Sequence, residues 1–274
     1  MTMQFAKIPH IESAWDNVQI KTLSPSTFAW VNRGCGYQAL LQKAVQTFNN
    51  NTLLLPSNRN VLLGTIIHKL YELTQKGELR SIADLKNKWE ELVILEKEKL
   101  AINYPTLQNA GLNDYDKRNS AIRYAIGIMR KPNAVPTTAG TTKVYSEKRL
   151  DCAELGLIGI ADRLITDGKY IDVLDFKSGH VLDEMGNIKT EYIIQLHLYA
   201  TMCQHLSMGT PRHLILVDIN GENHNVPYSQ AYSEQLLSEV QESIGELNNI
   251  IATRNFKEYA KPELGLCANC ECRH

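Results

Sequence analysis

The segment Gly159–Gly179 constrains the fold of this chain more than any other part of it. Two apolar runs in this segment are separated by the turn residues Thr166–Gly168, which predicts two neighbouring strands joined by a tight turn. Asp162 lies near the end of the first strand, and Asp175 and Lys177 lie on the second. We therefore expect a sheet on which two carboxylates approach one amine.

Side chains alternate between the two faces of a β-strand. Asp175 and Lys177 are therefore expected on one face of the strand, and Phe176 on the opposite face. Converging carboxylates suit Mg²⁺ or Mn²⁺, which prefer oxygen ligands, and a nearby lysine can orient a water molecule or offset charge on a phosphate. A D-x-K sequence alone is more often a surface salt bridge, so this interpretation depends on the rest of the chain.

The remaining sequence predicts a helical first half followed by an α/β core. Ser24 as an N-cap, followed by Pro25, marks the start of the first helix. Apolar periodicity predicts further helices over 60–75, 81–100, 114–130, 191–206 and 229–253. Short runs bounded by turn residues predict strands over 143–150, 155–165, 169–177, 212–219 and 223–227.

Composition and charge narrow the class of protein. Hydrophobic residues make up 43% of the 274 residues and charged residues 22%, which argues against general disorder. The formal net charge of −1 excludes a histone-like protein that binds nucleic acid by bulk positive charge, but not one with a local basic groove. Neither an apolar run of about 18 residues nor a secretory leader is found, so we expect a soluble, cytoplasmic protein that does not contact a membrane.

Four motifs follow one another along the chain in a fixed order. They are Gly64…His68 on a predicted helix, Gly159…Asp162 and Asp175-Phe176-Lys177 on predicted strands, and Gln195…Tyr199 on a second predicted helix. As an ordered set, they resemble the PD-(D/E)XK nuclease superfamily, and within it the RecB-type nucleases. The resemblance implies an α/β fold with a restriction-endonuclease-like core, in which helices flank a mixed central sheet and the N-terminal region is helical.

The resemblance also implies a division of the chain. A lead-in over 1–23 would precede a single RecB-type domain over 24–274. This domain would contain a mainly helical part over 24–135, the α/β catalytic core over 140–228, and a long helix with a cysteine tail over 229–274.

Residue roles are implied by the same resemblance. One or two Mg²⁺ or Mn²⁺ ions would be bound by His68, Asp162, Asp175 and the backbone carbonyl of Phe176. Lys177 would position the attacking water and stabilise the transition state, while Gln195 and Tyr199 would orient Lys177 and the substrate phosphate. Glu147 is a possible outer acid of the site, although a surface glutamate is the commoner interpretation of such a residue.

The six cysteines are unevenly placed. Cys152 and Cys203 stand in apolar surroundings and are predicted to be buried packing residues. The resemblance to iron–sulfur members of the family implies that a [4Fe-4S] cluster is held by Cys35, Cys267, Cys270 and Cys272. The chain departs from that pattern in having Gly36 where a proline is usual and Cys272 close behind Cys270. A zinc site completed by Cys35 or His274, or a tail without metal, are the alternatives.

The function implied by the resemblance is a metal-dependent deoxyribonuclease, an exonuclease on single-stranded DNA or DNA ends rather than a site-specific endonuclease. The alternative is a non-catalytic, nuclease-like module that binds DNA or serves as a scaffold in a larger complex. Such nucleases act in recombination, repair, CRISPR adaptation or phage defence. Because the G-x-x-x-x-G-K-[ST] motif of a motor is not found, a helicase or another protein of these pathways would be the partner.

Overall fold

The structure of the chain is a computed structural model that describes residues 15–33, 35–48, 59–103, 112, 114–130 and 142–256. Its helices are α1 (Pro25–Asn32), α2 (Tyr37–Phe48), α3 (Arg59–Gln75), α4 (Ile82–Asn103), α5 (Tyr115–Arg130), α6 (Thr190–His205) and α7 (Gln230–Thr253). Its strands are β1 (Lys143–Cys152), β2 (Leu157–Thr166), β3 (Tyr170–Phe176), β4 (Thr210–Val217) and β5 (Asn223–Val226). The expected mixed sheet flanked by helices is confirmed.

The five strands form one sheet in the order β1-β2-β3-β4-β5. Strand β2 is antiparallel to β3, with Arg163 opposite Leu174, so Asp162 and Asp175 are the next residues along the two strands. Strands β3 and β4 are parallel, and β4 and β5 are antiparallel. A parallel pair needs a crossover connection, which α6 provides between β3 and β4.

The described residues fall into two compact units. The larger unit, within 59–150 and 160–228, contains α3, α4 and α5 in mutual contact, and α6 packed on β3 and β4. The smaller unit lies within 1–58, 151–159 and 229–274 and contains α1 in contact with α7. In the smaller unit Leu23 also forms a parallel bridge with Leu157.

Aromatic side chains fill the core of the larger unit beneath the end of β3. Phe176 is buried, and its ring centroid lies 5.2 Å from that of Tyr71 and 5.7 Å from that of Tyr124. The ring centroids of Tyr71 on α3 and Tyr124 on α5 are 4.9 Å apart. The two helices therefore hold Phe176, and with it the direction in which Asp175 and Lys177 point.

Most predicted elements are confirmed to within a few residues, and the first helix is the exception. Ser24 caps α1 as predicted, because its hydroxyl oxygen accepts a hydrogen bond of 3.0 Å from the backbone N–H of Thr27. The single predicted helix is instead two, α1 and α2. The sequence between them contains Gly34 and Gly36, and glycine has a low helix propensity.

Within the described residues, none of the helices combines the length and the apolar character that crossing a membrane requires.

Candidate active site

The C-terminal end of β3 brings a carboxylate and an ammonium group together. The Asp175 Oδ2 atom lies 2.6 Å from Lys177 Nζ, in an ion pair on the face opposite Phe176. Lys177 Nζ also donates a hydrogen bond of 2.8 Å to Gln195 Oε1 on α6. The predicted placement of Asp175 and Lys177 on one face of the strand is confirmed.

Asp162 completes the acidic part of this cluster from the middle of β2, not from near the end of the strand as predicted, because β2 continues to Thr166. Its Oδ2 atom accepts a hydrogen bond of 2.6 Å from the backbone N–H of Phe176, which fixes the carboxylate beside β3. Its Oδ1 atom lies 3.3 Å from His68 Nδ1 on α3. The two predicted acids, the lysine and the histidine are therefore brought together beside the C-terminal end of β3, the central strand of the sheet.

Gly64 explains how α3 comes close enough for His68 to reach Asp162. A Cβ atom at position 64 would lie 3.1 Å from the Ser178 Oγ atom, a tighter approach than most side chains tolerate. The absence of a side chain at Gly64 thus lets the helix lie against the residue that follows Lys177. His68 stands one helical turn further along the same face.

Glu147 on β1 belongs to the same cluster, although a surface position was the commoner interpretation of this residue. One of its carboxylate oxygens lies 3.9 Å from His68 Nδ1, and its side chain is only 30% exposed. Its backbone has a φ of 48°, in the left-handed region that a non-glycine residue seldom adopts. Backbone strain of this kind is often kept at functional sites. No local pattern in the sequence indicates that Glu147 joins this cluster.

The carboxylates of the cluster differ in their electrostatic surroundings. Burial raises the pKa of Asp175 to about 6, an effect that Asp162 reinforces and Lys177 opposes. Burial, and then the negative charge of Asp162, raise the pKa of Glu147 to about 7. Burial by itself would raise the pKa of Asp162 too, but His68 and the hydrogen bond from Phe176 lower it. Asp162 is therefore the acid that remains ionised most readily.

The acids of the cluster also raise the pKa values of the two cationic side chains, His68 and Lys177. Burial alone would lower the pKa of His68, but the charge of Asp162 and the contact with it raise the pKa to about 9. Burial likewise opposes protonation of Lys177, but Asp175 and Asp162 raise its pKa. Both side chains hold a proton at neutral pH in the described structure, and His68 must release its proton before it can bind a metal ion.

Helix α6 contributes two further predicted residues, which make different contacts. Gln195 binds Lys177 directly. Tyr199 is buried, and its hydroxyl donates a hydrogen bond of 2.7 Å to the backbone carbonyl of Ile160 on β2, while burial raises the pKa of Tyr199. Tyr199 thus ties α6 to the strand that carries Asp162, and its contact with a substrate phosphate remains a prediction.

Comparison with known protein families identifies the family of this chain. The sequence model of the PD-(D/E)XK nuclease superfamily matches residues 22–274. The chain belongs to this superfamily. No curated protein matches the chain. Because PD-(D/E)XK proteins are generally metal-dependent nucleases, membership indicates a nuclease.

The donor atoms of the cluster fit the divalent ions that PD-(D/E)XK nucleases typically use. The potential ligand atoms of His68, Glu147 and Asp162 lie within 4.8 Å of one another. Asp175 Oδ2 is buried and accepts no well-directed hydrogen bond despite its ion pair with Lys177. Carboxylate oxygens with one imidazole nitrogen suit Mg²⁺ or Mn²⁺. A role for the carbonyl of Phe176 as a ligand stays a prediction.

A second group of possible ligands lies outside this cluster, where β4 turns into β5. It consists of Asp218 and Glu222 in the turn and His224 on β5. Asp218 Oδ1 accepts hydrogen bonds from the backbone N–H groups of Asn220 and Glu222, and thereby closes the turn. This use of Asp218 accounts for the arrangement without a metal ion.

The described residues include only part of the predicted cysteine site. Cys35 is buried between α1 and α2. Cys152 and Cys203 are also buried, as predicted for packing residues. The remaining predicted ligands lie outside the described residues, so the cluster and zinc alternatives both stay predictions; these ligands are Cys267, Cys270, Cys272 and His274.

Proposed function

We propose that this PD-(D/E)XK protein is a deoxyribonuclease that hydrolyses phosphodiester bonds with the help of Mg²⁺ or Mn²⁺. The observation that carries the proposal is the convergence of Asp162, Asp175 and Lys177 beside the C-terminal end of β3. The ion pair of 2.6 Å between Asp175 and Lys177 and the 3.3 Å approach of Asp162 to His68 support this proposal. The hydrogen bond from the N–H of Phe176 to Asp162 links the two pairs. Membership in the superfamily supports the same conclusion.

The metal ligands in this proposal are His68, Asp162, Asp175 and the carbonyl of Phe176, with Glu147 as a further acid. When bound, a divalent ion lowers the pKa of a coordinated water and neutralises charge on a phosphate. The contact between His68 and Asp162 orients the imidazole ring toward the site. Asp162 is in turn held by the N–H of Phe176, so the ligands are preorganised by the backbone of β3.

Lys177 acts in this proposal as a cation and a hydrogen-bond donor rather than as a base. Its acidic neighbours raise the pKa of Lys177, so the ammonium group is retained at neutral pH. An ammonium group at this point can hold the attacking water and stabilise the charge that develops on the phosphate. Gln195 restrains the ammonium through its hydrogen bond, and Tyr199 holds the helix that carries Gln195.

The proposed substrate is single-stranded DNA or a DNA end, cut from the end inward. The chain has almost no net charge to attract DNA over a distance. One basic residue of α5, Arg118, is ion-paired with Glu90 of α4 at 2.8 Å, which reduces the positive charge of that helix. The proposed partner is therefore a helicase or another DNA-processing protein that contributes part of the DNA-binding affinity.

Replacement of the lysine tests the proposed activity directly. End-labelled linear single- and double-stranded DNA and circular single-stranded DNA are incubated with the wild-type protein, Lys177→Met and Lys169→Met, in Mg²⁺, Mn²⁺ or EDTA. Lys169 is the matched control, because its ammonium lies over the Tyr170 ring at the other end of β3. We expect metal-dependent cleavage that falls by about 100-fold or more in Lys177→Met alone.

The substrates distinguish the alternatives within this experiment. Cleavage of linear but not circular DNA supports an exonuclease, and cleavage of both supports an endonuclease. DNA binding without turnover in any metal supports a non-catalytic, nuclease-like module. Equal cleavage by the wild-type protein and Lys177→Met would contradict the proposed site.

A further inference from the structure

We propose that Tyr192 is a positioning residue that holds the Lys177 ammonium group through the face of its aromatic ring. This inference rests on the proposed nuclease function, because it assigns a partner to the lysine of that site. Tyr192 belongs to none of the motifs that indicated the site in the sequence.

The contact has the geometry of a cation–π interaction. Lys177 Nζ lies 4.9 Å from the centroid of the Tyr192 ring, within the distance of about 6 Å over which such attraction acts. The same nitrogen lies 2.6 Å from Asp175 Oδ2 and 2.8 Å from Gln195 Oε1. The ammonium group is therefore held by a carboxylate, an amide oxygen and an aromatic face.

The position of Tyr192 in α6 makes it a fixed support. It stands in the first turn of the helix, three residues before Gln195, so both side chains project from one helical face. Burial raises the pKa of Tyr192, so its phenol stays neutral at physiological pH and the ring attracts the lysine without adding a charge to the cluster.

The aromatic contact differs from the contact that Asp175 makes with the ammonium group. A lysine side chain is flexible, and Asp175 is shared with the metal ion in the proposed site. An aromatic ring does not compete for that ion as a hard oxygen ligand would. With a divalent ion bound by Asp175, Tyr192 together with Gln195 would still direct Lys177 at the substrate phosphate.

Kinetics of three variants test the role. Tyr192→Leu removes the aromatic face, Tyr192→Phe keeps it, and Tyr170→Leu is the matched control, because Tyr170 carries the cations of Lys169 and Arg212 at the opposite end of β3. We expect kcat to fall about 10- to 30-fold in Tyr192→Leu, with KM nearly unchanged. Tyr192→Phe should stay within about 3-fold of wild type. An unchanged kcat in Tyr192→Leu, or an equal loss in Tyr192→Phe, would overturn the proposal.

A spectroscopic readout separates this inference from the proposed function. In protein labelled with ¹³C-lysine, the Lys177 side-chain resonance is assigned by its disappearance in Lys177→Met. The ring current of Tyr192 should shift that resonance upfield in the wild type and Tyr192→Phe, and Tyr192→Leu should abolish the shift. If wild-type protein cuts no DNA, the nuclease proposal fails while this shift still reports the contact. A resonance that is unmoved in Tyr192→Leu overturns the contact itself.

Discussion

Three carboxylates and two cationic side chains lie close together at the end of β3, and their charges do not balance without a further cation. The acids are Asp162, Asp175 and Glu147, and the cations are His68 and Lys177. Burial and mutual repulsion raise the pKa of Asp175 and of Glu147, so protons replace part of the missing positive charge. A divalent ion would take over that role from the protons.

Neutralising Glu147 should stabilise the metal-free protein at alkaline pH. The pKa of Glu147 is raised from 4.5 to about 7 in the folded state, so the folded state binds the proton more tightly than the unfolded state. This carboxyl group therefore lowers the free energy of unfolding progressively as the pH rises from 4.5 to 7, and the full penalty persists above pH 7. In EDTA at pH 8 we expect Glu147→Gln to raise the free energy of unfolding by about 1–2 kcal/mol.

Urea unfolding at pH 8 and pH 5 measures this effect, with the exposed residue Glu78 changed to Gln as the control. The gain should be much smaller at pH 5, where Glu147 is already largely protonated in the folded protein. Saturating Mn²⁺ should also reduce the gain at pH 8. An equal gain in the free energy of unfolding at both pH values would show that the pKa of Glu147 is not raised in the folded protein.

Among the secondary-structure elements, the turn between β4 and β5 packs closely on α5 because it has a glycine at the point of contact. Gly221 has a φ of 83°, and a Cβ atom there would lie 2.6 Å from the Tyr124 ring. Gly168 has a similar φ of 89°, but a Cβ atom there would contact nothing within 4 Å. A comparison of alanine substitutions at Gly168 and Gly221 therefore distinguishes the cost of backbone strain from the cost of steric overlap.

Replacement of each glycine by alanine should give unequal losses of stability. Gly168→Ala should cost about 1 kcal/mol, because only the backbone is strained. Gly221→Ala should cost about 3 kcal/mol, because the methyl group also displaces the Tyr124 ring and the aromatic cluster beneath Phe176. Denaturant midpoints of the two variants measure the difference. Equal losses would contradict the close packing of the turn on α5.

Elements determined by local pattern were predictable from the sequence. The alternation of Asp175, Phe176 and Lys177 indicated which side chains share a face, and the capping residue Ser24 indicated where α1 begins. The break between α1 and α2 was not predicted, because apolar residues continue at helical spacing on both sides of it.

Contacts between distant segments were harder to predict. Glu147 meets His68 only because β1 and α3 belong to the same packed unit, and Tyr192 meets Lys177 only through the placement of α6. Ordered motifs could identify Gln195, but no local pattern distinguishes Tyr192 from an ordinary helix residue.

In the molecule as a whole, the first and last described residues, Trp15 and Phe256, both belong to the smaller unit. The ring centroids of Trp15 and Phe256 are 4.8 Å apart, and Arg254 forms an ion pair of 2.7 Å with Asp16. Cys35 is buried in the same unit. The last described residues therefore belong to the same unit as Cys35, and a metal site shared by Cys35 and the cysteines of the tail stays a prediction.

Chemical analysis of protein purified without oxygen tests the predicted cysteine site. We expect iron and sulfide at about four each per chain in the wild type, as a [4Fe-4S] cluster requires. Cys35→Ser should lose most of both, while Cys152→Ala, which changes a buried cysteine outside the proposed ligand set, should retain them. Zinc at about one ion per chain would support the alternative site, and absence of both metals would contradict either one.

We propose that His68, Asp162 and Asp175 bind the ion on which DNA cleavage depends. The most direct test is the single-turnover cleavage rate of an end-labelled single strand, measured against Mn²⁺ concentration for the wild-type protein and Asp162→Asn. We predict a rate that saturates with Mn²⁺ in the wild type, and in Asp162→Asn either no cleavage or half-saturation at a Mn²⁺ concentration at least about 10-fold higher. A wild-type rate that is independent of Mn²⁺, or identical curves for both proteins, would contradict the assignment.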